Sequence, residues 1–319
     1  MTPTELLESV RRVEVRTNRL VNDTMVGAYL SHFKGRGMDF EDLREYMPGD
    51  DVRDIDWNVT NRMGRPFVKR FREERELTMG LALDISASSA FGSLRRSKRE
   101  FAAEIAATLA ISATRSSDKV ALLLFTDQVE LFLPPRKGRR HILRVIREML
   151  FYEAKQRGTN IPAALAFLNH VVHRRTMVFL LTDFLHSYGN PSPGLSATLS
   201  PSDGERDRVR GNRDTIQEIG LTNSRHDLVC LHLHDPRENT LPNAGLLTIE
   251  DAETGELLEI DSARASVRER FARTNAERLA ELDRALNRAG VETLRFNTAE
   301  PFAQALQRFF ETRRGRRRG

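Results

Sequence analysis

The stretch Leu81-Ala82-Leu83-Asp84-Ile85-Ser86-Ala87-Ser88 constrains this chain more than any other. Leu77 to Leu83 is a strand-length run of small and apolar residues, the pattern of a strand buried on both faces of a parallel sheet. Such a strand delivers whatever follows it to the sheet's carboxyl edge, where open α/β sheets bind ligands. Here the delivered groups are Asp84, Ser86 and Ser88, a carboxylate and two hydroxyls on one tight loop. Oxygen donors of this kind suit a hard divalent cation: Mg2+, or Mn2+ or Ca2+ in its place.

These oxygens do not fill a coordination shell, so more ligands must come from other loops at the same edge. Gly158-Thr159-Asn160 precedes a helix with Pro162 in its first turn, which places the Thr159 hydroxyl at a helix start. Met177 to Thr182 is a β-rich run that ends in Asp183, as the first strand ends in Asp84. Asp-x-Ser-x-Ser alone is a weak signal, because Asp and Ser are common in turns and at helix caps. The whole set, Asp84, Ser86, Ser88, then Thr159, then Asp183, resembles the metal-ion-dependent adhesion site of von Willebrand factor A-type domains at all five positions. A phosphoryl-transfer aspartate would usually carry a second acid two residues on, where this chain has Ser86.

The remaining pattern is βαβ alternation. A helix is expected from Ser97 to about Thr114 with Phe101, Ile105 and Leu109 on one stripe, then a buried strand from Lys119 to Phe125. Val129 to Leu133 reads as an edge strand closed by Pro134-Pro135, and residues 139 to about 155 as an amphipathic helix. A helix from Ala163 to Val172 and the Asp183 strand complete a doubly wound, mostly parallel α/β sheet, Rossmann-like in plan. Residues 187–211 are rich in Ser, Pro and Gly and read as a mobile insertion, with a weak helix resuming near Asp214 to Ile219. A strand from Asp227 to His234, an appended hairpin within 245–260, a helix from Ser266 to Ala289 and a strand from Glu292 to Phe296 follow. Thr298 is expected to cap a last helix whose core face is Phe302, Leu306, Phe309 and Phe310.

Ahead of the sheet, residues 3 to about 22 read as an amphipathic helix, and Lys34-Gly35-Arg36-Gly37 as a basic turn. Ile55, Trp57 and Val59 alternate with Asp54, Asp56 and Asn58, and Phe67, Lys69 and Phe71 continue the alternation after Met63-Gly64. That predicts a β-hairpin carrying the only Trp. The expected organisation is thus an extension over 1–76, a main domain over 77–311, and a basic tail over 312–319.

Composition narrows the function classes. The single cysteine, Cys230, excludes an intrachain disulfide and makes a reducing, cytoplasmic setting the expectation. No apolar run approaches the roughly 20 residues that span a bilayer. Much of the formal net charge of +5 sits in Arg313-Arg314-Gly315-Arg316-Arg317-Arg318, which offers phosphates or an anionic membrane surface a contact. No aromatic residue interleaves with it, so sequence-specific nucleic-acid recognition is not expected and the tail reads as solvated and disordered. His232 with His234, and His170 with His173, lack a third ligand at a telling spacing. No Gly-x-Ser-x-Gly, His-Glu-x-x-His or Cys-x-x-Cys motif supplies a hydrolase with its machinery.

Further motifs sharpen the resemblance. Gly35-x-Gly37, Phe40, Arg44-Glu45-Tyr46, Pro48-Gly49-Asp50, Arg53, Ile55-Asp56-Trp57, Thr60, Arg62, Val68-Lys69 and Glu74 resemble the signature of the bacterial family catalogued as domain of unknown function 58. Asp235-Pro236-x-Glu238, Leu241-Pro242, Gly245 and Asp251-x-Glu253-x-Gly255-Glu256 resemble that family's later motif. Asp39 departs from an expected Glu, and Ser89 from an expected Met. The resemblance implies a von Willebrand factor A-like fold and a short form without the membrane segments of longer members. It also implies a non-enzymatic adaptor working with a MoxR-type AAA+ ATPase, with a partner's Asp or Glu carboxylate completing the metal shell. Two alternatives stand beside it. One is a magnesium-dependent enzyme acting on phosphoesters, which needs a general base near the metal that the sequence does not name, although His186 and Asp127 could lie nearby. The other is anionic-polymer binding through the arginine tail.

Overall fold

A computed structural model describes residues 39–72, 77–93, 96–185, 204–250 and 257–316, with isolated positions outside these spans. Six strands form the central sheet: β3 (Thr78–Asp84), β4 (Lys119–Phe125), β5 (Val129–Arg136), β6 (Met177–Thr182), β7 (Asp227–His234) and β10 (Glu292–Asn297). Their order is β10-β7-β6-β3-β4-β5. Only the β4–β5 pairing is antiparallel, which puts Pro134 and Pro135 on an edge strand where a missing N–H is tolerated. The chain runs outward from β3 through β4 to one edge, returns to β6 beside β3, and runs outward again to the other edge. The direction of winding therefore switches between β3 and β6, and the crevice at that switch is where doubly wound sheets bind ligands.

The apolar alternation of the strands explains the layers. Leu81, Leu83, Leu122, Phe179 and Leu181 point to one face. They pack there on α2 (Lys98–Arg115), α3 (Arg139–Phe151) and α8 (Ala303–Arg316) through Phe101, Ile105, Ile146, Leu306 and Phe310. Ala82, Leu123, Val178, Leu180 and Cys230 point to the other. They meet α4 (Ile161–Val171), α5 (Gly204–Arg225) and α7 (Ala265–Arg288) through Leu165, Ile219, Leu282 and Leu286. Burial on both faces is what the unbroken apolar runs of β3, β4 and β6 required.

Several expectations need correction. The hairpin of the amino-terminal unit is β1 (Asp39–Glu45) against β2 (Phe67–Arg72), and Trp57 is not on a strand. It opens the helix α1 (Trp57–Met63): the Asp56 carboxylate accepts the N–H groups of Asn58 and Val59, and Gly64 ends the helix at φ 68°. That cap pair outweighs the two-residue alternation, which over so short a span fits either structure. Residues 204–211 belong to α5 rather than to a mobile insertion, and the helix expected near Asp214 is a 22-residue element. Residues 187–203 lie outside the described residues, as do Lys34 to Gly37 and most of 3–22, of which Val13, Val15 and Thr17 are described and helical. Thr298 caps no helix; its hydroxyl donates to Asp235 at 3.0 Å. The tail is helical to Arg316, and Arg313 is not a free cation, because it pairs with Asp227 and Glu292. The appended hairpin is present as β8 (Leu246–Glu250) and β9 (Leu257–Asp261).

Candidate metal centre

Strands β3 and β6 pair in parallel with Leu83 opposite Leu181, so Asp84 and Asp183 leave the sheet on adjoining loops. Each aspartate turns its own chain: Asp84 Oδ1 accepts the Ser86 N–H and Asp183 Oδ1 the Leu185 N–H, both at 3.0 Å. The Thr182 hydroxyl donates to Asp84 Oδ2 at 2.7 Å and links the two loops. The Ser86 and Ser88 hydroxyls lie 3.1 Å apart, and the Ser88 hydroxyl also bonds Asp183. The third loop is fastened alongside: the Ala87 N–H donates to the Arg157 carbonyl at 2.9 Å, and the Asn160 N–H to the Thr126 carbonyl at 2.8 Å. Asn160 then caps α4, accepting the Ala163 N–H, with Pro162 in the first turn. Asp84, Ser86, Ser88, Thr159 and Asp183 are all buried, none more than 8% exposed.

Direct bonds thus link Asp84, Ser86, Ser88 and Asp183, and the loop that carries Thr159 is fastened to Ala87 and Thr126 by its backbone. The donor set fits a hard cation, being carboxylate and hydroxyl oxygens without sulfur or imidazole. Electrostatics point the same way. Burial, followed by the neighbouring charge of Asp183, pushes Asp84 up to about 6. Its contacts are with amide and hydroxyl donors, and among the described residues no cation touches it to offset its charge.

Asp183 is different. Burial works to raise its pKa, but the Lys98 ammonium, 2.5 Å from Oδ2, brings it below the ordinary carboxylate range. Lys98 is itself buried and bonds Glu238 as well. Arg278 of α7 acts on Glu238 and Asp183 from farther off, and burial lowers its own pKa. Glu238 belongs to the short helix α6 (Pro236–Asn239), where its second oxygen accepts the Asp235 N–H at 3.0 Å in a capping box. Asp235 in turn accepts from the Ser93 N–H and hydroxyl, the Arg237 N–H and the Thr298 hydroxyl.

Sequence reasoning missed Lys98, Thr182 and the job of Glu238. A lysine in the first turn of a helix opposes the helix dipole, so its presence there signals a carboxylate partner. Asp235-Pro236-x-Glu238 carries a capping-box spacing that announces a fixed carboxylate.

The other candidates fall elsewhere. His232 is buried beside Phe184 and His234, and burial pushes it down to about 3. His170 and His173 line a surface groove with Asn169, Glu218 and Arg225. His186 lies outside the described residues; Asp127 sits against Gly158 of the third loop. Among the described residues no group of three or more His, Cys, Asp and Glu is placed to hold a metal, so the candidate centre depends on hydroxyl donors. No described helix is long and apolar enough to cross a membrane.

Six strands in this order, wound both ways from paired aspartates at the switch, define a von Willebrand factor A-like domain. The chain belongs to the family described as protein of unknown function DUF58, whose model matches residues 42–281. It is 28% identical to the uncharacterized protein Rv1480 of Mycobacterium tuberculosis over 313 residues, 97% of this chain and 90% of the relative. The uncharacterized protein Mb1516 of Mycobacterium bovis matches to the same extent, 28% over 313 residues. Among solved structures it is similar to the conserved hypothetical protein BatB of Bacteroides thetaiotaomicron. That match has 13% identity and a TM-score of 0.44, covering 75% of this chain and 99% of that one. The SpRpn10 VWA domain matches at 11% identity and a TM-score of 0.32, covering 72% and 93%.

Proposed function

We propose that this chain is a non-enzymatic protein-interaction module whose sheet rim holds a divalent cation, Mg2+ first and Mn2+ or Ca2+ in its place. Asp84, Ser86, Ser88, Thr159 and Asp183 would hold it. The bound cation would supply an acceptor for a partner's Asp or Glu carboxylate, joining charge neutralisation to a surface fit. The observation that carries this reading is the pair of buried aspartates on adjoining loops at the winding switch, one of them without a contacting cation among the described residues. What the protein's own residues do is hold the oxygens ready: backbone N–H groups fix each carboxylate, and Thr182 ties one loop to the other.

The family resemblance makes a MoxR-type AAA+ ATPase the partner to try. Binding of that ATPase to the purified chain should require Mg2+, disappear in chelator, and disappear with Asp84→Ala. Undiminished binding in chelator and with a folded Asp84→Ala protein would overturn the reading.

A further inference from the structure

Lys98 is in an unfavourable place twice over, at a helix N-terminus and out of water. It occupies the first position of α2, directly after the capping Ser97, where the helix's partial positive charge repels an ammonium. It is 1% exposed, so it has given up nearly all its hydration. Its ammonium also lies against the oxygen of Asp183 that the loop backbone does not use, since Oδ1 takes the Leu185 N–H and Oδ2 takes Lys98. Every oxygen of Asp183 is therefore engaged within the chain, and a metal arriving at Asp84 meets an ammonium already seated on its second aspartate.

We propose that Lys98 is the internal cation of this site, competing with a divalent metal for Asp183 and passing to Glu238 when the metal binds. The inference rests on the metal-site reading above and concerns its regulation. Glu238 is suited to receive the ammonium because it does not move freely. Its Oε2 is fixed by the Asp235 N–H, and Asp235 is anchored to Ser93 and Thr298, which leaves Oε1 for Lys98. Lys98 already touches both carboxylates, so the exchange is a shift of one side chain between two bonds it makes now, with no loss of a buried charge's partner. Two consequences follow. The native chain holds metal less tightly than its oxygen donors alone would, and metal arrival is transmitted to the helix Pro236–Asn239 and, through Asp235, to the Ser93 loop.

The experiment is an Mn2+ titration, followed by the loss of the free ion's paramagnetic signal, on the native chain and on Lys98→Met, Glu238→Gln, the double variant and Asp84→Ala. Lys98→Met should bind Mn2+ at least about tenfold more tightly, about 1.4 kcal/mol. Glu238→Gln should bind more weakly, because it strands the ammonium on Asp183. In the Lys98→Met background the same Glu238→Gln change should lose most of its effect, which marks it as acting through Lys98. Should Lys98→Met misfold, Lys98→Gln keeps a hydrogen-bond donor, and its melting temperature should rise on Mn2+ addition by more than the native chain's does. Equal affinity of native and Lys98 variants, with binding still abolished by Asp84→Ala, would overturn the role of Lys98 and leave the metal site standing. No Mn2+ binding by any variant would overturn the metal-site reading, and this inference with it.

Discussion

Asp84 and Asp183 end neighbouring strands, turn their loops with the same two-residue bond and are equally withdrawn from water. Their electrostatics nevertheless diverge: burial and its neighbour's charge push Asp84 up to about 6, while Lys98 holds Asp183 below the ordinary carboxylate range. Backbone position and burial are shared, so the difference lies in the partner alone. It teaches that the rim is built from one carboxylate paired with a buried ammonium and one that, among the described residues, is met by amide and hydroxyl donors alone.

That contrast can be broken by one substitution made twice. With chelator present at pH 7.5, Asp183→Asn should destabilise the chain by about 3 kcal/mol, because it removes one of the two carboxylates that pair the buried Lys98 ammonium. Asp84→Asn should do the reverse and stabilise it by about 2 kcal/mol, since the raised pKa of Asp84 records a charge the fold bears at a cost. Denaturant unfolding of both proteins checks this. Destabilisation of similar size in both would erase the distinction.

A third buried group near the rim sharpens the comparison through pH. His232 falls from 6.5 to about 3, first by burial and then by the charges of His234 and Arg295, with Asp183 opposing them and Arg278 adding to them. The unfolded chain therefore takes up a proton that the folded chain refuses. The stability this residue leaves intact above its ordinary pKa is lost as pH falls from there toward its folded value. Between pH 7.5 and pH 5 the native chain should lose about 2 kcal/mol more than His232→Phe does. Parallel loss in the two proteins would assign the acid sensitivity elsewhere. The smallest effect belongs to the amino-terminal unit. Trp57 is 60% exposed, so Trp57→Ala should change stability by no more than about 0.5 kcal/mol. A larger change would show that this ring is covered in solution.

What was legible in the sequence follows the same division. The strands ending in Asp84 and Asp183 were readable because burial on both faces writes an unbroken apolar run, and their carboxyl ends locate the rim without any coordinates. The helix start beside Thr159 was readable from Pro162, and the structure adds Asn160 as its cap. Lys98 and Glu238 were not paired on sequence alone, because 140 residues separate them and only the fold brings the ends of α2 and β7 together. Trp57 was misplaced because alternation across a few residues suits a strand, while the Asp56 and Gly64 caps that choose the helix act locally and override it. Residues 204–211 looked like loop by composition, yet their helix runs on to Ile219, whose side chain is seated in the core.

The central claim is that Asp84 and Asp183 share a cation. Crystals of the native chain grown with Mn2+ and measured at the manganese edge test it most directly. The expected result is one anomalous peak bounded by Asp84, Ser86, Ser88, Thr159 and Asp183, with the Lys98 ammonium turned to Glu238. No peak there, with Lys98 still bonded to Asp183, would contradict it.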